Sequence, residues 1–182
     1  MSAPVADRPQ YTRRELFRRI WIRRARVVEA MGLLTAAGAA QKWVPMTKWS
    51  RLLGDHAPVP EEWHGRAVTV LPRRAESLVE YRVADAVHTG ARRLPWHSTC
   101  LAEATAGQIM LRQRHQPGVV VIGLRPNPER TDGKWDAHAW LLGTRGALTG
   151  GPAAAGFTAT TVFEAPGGLR AADVELRAPD AL

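Results

Sequence analysis

An α+β fold is predicted for this chain by the order of its elements and by a change of character along it. As far as Arg114, apolar side chains recur at helical spacing. From Val119 onward, β-branched and alternating runs take over. A turn signal at Gly143-Thr144-Arg145-Gly146 folds those runs back into an antiparallel sheet. Helices first and a small sheet afterwards is the α+β order.

Taken in turn, Thr12 and Glu15 make a T-x-x-E capping box that starts a helix at Arg13. Leu16, Phe17, Ile20, Trp21, Val27, Val28, Met31, Leu33 and Leu34 carry it to about Trp43, where Pro45 ends it. Trp49, Leu52 and Leu53 suggest a short second helix closed by Gly54, and residues 54–72, with three prolines, read mostly as a connector. A further helix spans Glu76 to Gly90. Ser98 is the expected cap of another, from near Cys100 to about Arg114. Gln116-Pro117-Gly118 is a turn, Val119–Ile122 a buried strand, and Arg125–Gly133 a polar loop. Trp135–Leu142 is a second strand, Ala147–Thr149 begins its return, and Phe157–Phe163 is a third. The tail after Pro166 reads as loosely structured.

The 182 residues suffice for one core, and 45% hydrophobic against 23% charged residues excludes wholesale disorder. One cysteine excludes a disulfide framework and a Cys-rich zinc module, and suits a reducing compartment. The longest charge-free stretch of the N-terminal third, Ala30–Gln41, is too short to span a bilayer, and no signal-peptide pattern is visible, so a cytoplasmic location is expected. Net charge is +8, unevenly spread: residues 1–29 carry +5 and residues 147–182 carry −2. A basic arm can attract nucleic acid, anionic lipid or an acidic peptide, or be a solvated helix in an arginine-rich chain. Nucleic-acid binding has no supporting helix-turn-helix or zinc pattern or interleaved aromatics.

Chemistry concentrates on the single thiol. Cys100 falls where a helix begins, and free N–H groups and the positive end of the helix dipole favour a thiolate there. A nucleophilic thiol needs an imidazole to take its proton and return it to a leaving amine. His138 in the second strand is the candidate, with Asp136 and Trp140 on the same strand face. Taken alone, a lone Cys also fits a small core residue, and a strand His a structural one. His97 is read as a surface residue, and His56, His64, His88 and His115 lack metal-ligand spacing, so no metal or cofactor is expected.

The blocks Pro95-Trp96-His97-Ser98-Thr99-Cys100-Leu101, Val121-Ile122-Gly123-Leu124-Arg125 and Ala137-His138-Ala139-Trp140 together resemble one family, in order and in approximate spacing. It is the transglutaminase-like cysteine peptidases of lasso-peptide biosynthesis, in the form where the peptidase is a chain separate from its leader-binding partner. Glu29 to Leu53 adds to the likeness, which covers about residues 25–150. The resemblance implies a papain-like, transglutaminase-like core at 73–165. Around it lie a basic arm at 1–26, a helical region and connector at 27–72 and a tail at 166–182. It implies removal of the leader from a precursor peptide, with Cys100 attacking and His138 as base and then acid. The freed amine would go to an ATP-dependent cyclase. Trp96, Ser98 and Trp140 are candidate substrate-binding residues.

One position departs from the family. Where it has an aspartate that orients the histidine, this chain has Gly150, flanked by Thr149 and Gly151. Asp136 is the expected stand-in, acting on His138 by its charge from about 7 Å along the strand face without contact; Glu164 and Asp173 are further candidates, and Gly150→Asp is expected to raise the rate. The alternative is a non-catalytic scaffold subunit of the same maturation complex.

Overall fold

The computed structural model describes residues 12–63, 78–129, 135–144, 146–166 and 168–173. Helix α1, Arg13–Trp43, opens on the expected capping box: the Thr12 hydroxyl accepts from the Glu15 amide, and the Glu15 carboxylate accepts from the Thr12 amide. Only its second half is built for a core. Val27, Ala30, Leu34 and Ala37 are buried at helical spacing, whereas residues 13–25 are exposed. Pro45 follows, and the one-turn helix α2, Met46–Trp49, runs into a 3₁₀ turn at Ser50–Leu52 before Gly54. Helices α3, Leu78–Arg93, and α4, Cys100–Arg112, pack on α1. Gly90 of α3 lies against Ala30, Met31 and Leu34, where even a Cβ would meet side-chain atoms at 3.3 to 3.4 Å.

Five strands form one antiparallel sheet in the order β1 (Asp55–Ala57), β5 (Thr158–Glu164), β2 (Val119–Pro126), β3 (Trp135–Gly143), β4 (Gly146–Thr149). Alternation along the strands divides the core in two. Val120, Ala139, Leu141 and Phe163 face the helices, among Leu34, Val87, Ala104, Met110 and Leu111. Val119, Val121, Trp140, Leu142 and Val162 face the other way, under Trp63, Ala154, Phe157 and Ala171.

That second layer corrects two expectations. The 54–72 stretch is more than a connector. Asp55–Ala57 pairs with β5, and Trp63, 2% exposed, closes the back of the sheet. The tail is not wholly loose, because Ala171 is buried there and its amide donates to Glu164 Oε1. Strand β2 also runs on through Arg125 and Pro126, residues expected in the loop. Helix α1 passes the proposed 26/27 boundary without a break. His64, the 72/73 boundary, the helix start at Glu76, the end of the polar loop at 130–134, Arg145 and the tail beyond Asp173 lie outside the described residues.

A buried carboxylate fixes the β3–β4 turn. Glu80 of α3 is fully buried, and its oxygens accept from the Thr144 amide and hydroxyl, each at 3.1 Å. Glu80→Ala would strand these donors. Urea unfolding is expected to show a loss of about 2 kcal/mol, with a smaller loss for Glu80→Gln.

Candidate active site

Cys100 is the first residue of α4. The cap is Thr99, not the expected Ser98: the Thr99 hydroxyl accepts from the Ala102 amide at 3.1 Å and donates to Gln41 Oε1 at 2.8 Å. One threonine thus ends the α4 backbone and ties it to the end of α1, so the thiol emerges at a fixed point. Small residues then let α4 lie close to the sheet. Ala102, Ala104 and Ala106 are buried, and a Cβ on Gly107 would come within 2.6 Å of Leu141 Cδ2.

At that point the helix start meets β3. The Cys100 thiol and the His138 imidazole are hydrogen-bonded. His138 Nε2–H donates to the Gly150 carbonyl at 2.8 Å, which leaves Nδ1 for the thiol. Two aromatic rings pack against it: it stacks on Trp140 at 6.0 Å between centroids and leans on Phe157 at 5.2 Å. Gly150 reaches it through a bulge. Leu142 pairs with Ala147 but Leu141 pairs with Thr149, so Leu148 is an extra residue that re-aims the end of β4. Gly150 then turns with φ +71°, a conformation that favours glycine.

These contacts show which group touches the imidazole. The Asp136 carboxylate accepts from Asn127 Nδ2 at 3.0 Å and pairs with Arg125 at 3.2 Å, while the Gly150 carbonyl holds the imidazole. Glu164 is engaged with the Ala171 amide, and the Asp173 side chain lies outside the described atoms. An aspartate at 150 would not restore a triad. A Cβ there would lie 2.6 Å from Ala139 O and 3.2 Å from His138 Nε2, on a backbone already in the left-handed region.

The electrostatics favour an ion pair. Burial pushes the Cys100 thiol up, but the hydrogen bond to His138, the Ala139 N–H, the imidazolium charge and the Leu101 N–H together bring it below its ordinary value of 9.0. The bond to Cys100 raises His138 above its ordinary 6.5. Burial opposes the rise, and the Gly150 carbonyl and the charges of Cys100 and Glu103 support it. Shifts in these two directions bring the pair closer to the thiolate–imidazolium state that a cysteine nucleophile needs.

Among the substrate-binding candidates, Trp96, four residues before Cys100, is 51% exposed. Trp140 is fully buried, so it supports the imidazole from behind and does not wall a groove. Ser98 is half-buried, its hydroxyl enclosed without a hydrogen-bond partner. Sequence reasoning missed Glu103, one turn beyond Cys100 on α4. The signal was present as a carboxylate three residues after the nucleophile. Among the described residues, no group of three or more His, Cys, Asp or Glu side chains is arranged to hold a metal ion.

The pair's pKa shifts have opposite signs and so widen one window. The acid edge of Cys100 reactivity moves down with the depressed thiol, and the edge at which His138 loses its proton moves up. Iodoacetamide alkylation should therefore persist below the ordinary thiol value and weaken as acid protonates the thiolate. Gly150→Ala should reduce alkylation at neutral pH about ten-fold, as the carbonyl swings off the imidazole, with the far-ultraviolet circular dichroism unchanged. Asp136→Asn should leave alkylation within two-fold of wild type, because that carboxylate is engaged on Arg125 and Asn127.

The family model of the transglutaminase-like superfamily matches residues 44–162, which holds α2 to α4, Cys100, His138, Gly150 and most of the sheet. No curated protein and no solved structure was found to match the chain. A match over more than half the length, with a cysteine at a helix start bonded to a strand histidine, places the chain: it belongs to the transglutaminase-like superfamily, which includes cysteine peptidases.

Proposed function

We propose that this chain is a cysteine peptidase that removes the leader from a lasso-peptide precursor. The observation that carries the peptidase reading is the Cys100–His138 hydrogen bond with the imidazole held from behind by a fixed acceptor. The Ser-Thr-Cys-Leu and Ala-His-Ala-Trp blocks, and the likeness they make to the leader peptidases, support the substrate.

In this reading Cys100 Sγ attacks the scissile carbonyl carbon, and the electron pair of that carbonyl moves to its oxygen. Collapse breaks the C–N bond, and His138 gives its proton to the departing amine, which becomes the N-terminus of the core peptide. A water then attacks the thioester, His138 takes its proton, and the leader leaves as a carboxylic acid with Cys100 restored. The Gly150 carbonyl keeps the Nε2 proton throughout, so that Nδ1 does the transfer. The freed amine is the nucleophile that an ATP-dependent cyclase needs for macrolactam closure.

The partners in this proposal are the precursor, a small leader-binding protein and the cyclase. Docking of an acidic partner surface is supported by the first half of α1. Arg13, Arg14, Arg18 and Arg24 surround Phe17 and Trp21, which are 65% and 57% exposed. Burial and the like charges of Arg82 and Arg114 push Arg26 down, a mark of dense positive charge. Arginines occupy every side of this half of the helix, whereas an in-plane bilayer helix needs a segregated apolar face. No helix among the described residues is long and apolar enough to cross a membrane.

The alternative, a non-catalytic scaffold in the same complex, draws on the glycine at the acid's position. Mixing the chain with precursor and leader-binding protein and reading products by mass spectrometry separates the two. The peptidase releases leader and core, and Cys100→Ala, which removes one sulfur, releases neither. Intact precursor with the wild-type chain would favour the scaffold. Deleting residues 1–22 spares the Arg23–Asp85 ion pair and the buried face from Val27. It should weaken association with the leader-binding protein and flatten its salt dependence.

A further inference from the structure

An orienting carboxylate does two things for a catalytic histidine: it fixes the ring's direction, and its charge stabilises the imidazolium. The Gly150 carbonyl fixes direction but brings no net charge. The structure offers a charge from another element. Glu103 lies one turn beyond Cys100, so the two side chains share a helix face. Gly107, one turn further along that face, is bordered by Leu141 and Thr149 of the β3–β4 edge and by Val87 of α3. Cys100 on that face is bonded to His138 of β3, so Glu103 is carried on the side of α4 that packs toward β3. Glu103 is half-buried in this position.

We propose that Glu103 is the positioning residue that supplies the missing acid's charge, stabilising the His138 imidazolium from the nucleophile's own helix while the Gly150 carbonyl sets the ring's direction. The electrostatics agree with the placement. Burial raises Glu103, and the charges of His88 and His138 oppose that rise. The Glu103 charge is in turn among those that raise His138. The titratable groups facing Glu103 among the described residues are His88 from α3, His138 from β3 and Cys100 from its own helix; β4 brings none. His88 Nδ1 bonds to the Ala84 carbonyl one turn back on α3, which holds that ring on its own helix.

The inference deepens the peptidase reading and rests on it for its consequence in catalysis, but its test does not need cleavage. The His138 imidazole is titrated by NMR in the full-length protein, and Cys100 alkylation by iodoacetamide is followed over the same pH range. Glu103→Gln keeps shape and hydrogen-bonding capacity and removes only the charge. His138 is expected to titrate about half a unit to one unit lower, and alkylation at neutral pH to fall about three- to ten-fold. Glu103→Asp, which keeps the charge on a shorter stem, should recover at least half of the shift. His88→Gln should leave more than half of the Glu103→Gln effect in place. A residue that merely starts the helix would lower the melting temperature and leave His138 alone. An unchanged His138 titration in a folded Glu103→Gln protein overturns the proposal, as does an Asp variant that behaves like the Gln variant. If the wild-type chain releases no leader while Glu103→Gln still shifts His138, the peptidase reading fails and the charge assignment stands.

Discussion

The close seating of α4 on β3 is the constraint from which the site follows. A helix with Leu at 102, 106 and 107 would have to stand further off. With Ala, Ala and Gly there, its first turn reaches the strand backbone, and the Cys100 sulfur accepts N–H groups from both elements, Leu101 on the helix and Ala139 on the strand. The thiolate is stabilised by main chain that the fold has already fixed, so little reorganisation is required when charge develops. Thr99 locks the same junction from the other side by joining the start of α4 to the end of α1.

Around that junction, burial and charge act against each other and the outcome is decided by contacts. Burial alone would raise the thiol and lower the imidazole, giving a neutral, unreactive pair. Their mutual hydrogen bond reverses both shifts, helped by backbone N–H groups at the thiol and by the Gly150 carbonyl at the imidazole. The aromatic walls, Trp140 and Phe157, contribute by excluding water from one side of the ring, so that these few contacts act in a medium of reduced polarity.

Much of this was legible in the residues. The capping box, the proline after Trp43 and the switch from helical to strand patterning place α1, α3, α4 and the central strands close to where they lie. The cysteine at a helix start and the histidine in a strand name the two side chains that the fold brings together. What escaped was non-local. Strand β1 is three residues between Gly54 and Pro58 and exists because β5 has an open edge to pair with. Trp63 and Ala171 are core only because the sheet has a second face to cover. The third contact on His138 is made by a carbonyl oxygen, which every residue carries, so no residue type announces it. Asp136 drew the assignment because a carboxylate is visible in a sequence and a backbone acceptor is not.

The bulge at Leu148 gives that last point a wider consequence. When a side chain orients a histidine, the arrangement survives small changes in strand length and is destroyed by a single substitution. With a carbonyl in the role, the sensitivities are exchanged. Many substitutions in β4 leave the acceptor in place, but loss of the one extra residue would bring a different carbonyl, pointing elsewhere, opposite the ring. In such a chain the element to count is strand length between His138 and the turn at Gly150, and the absence of an acidic letter there carries little information about whether the imidazole is held.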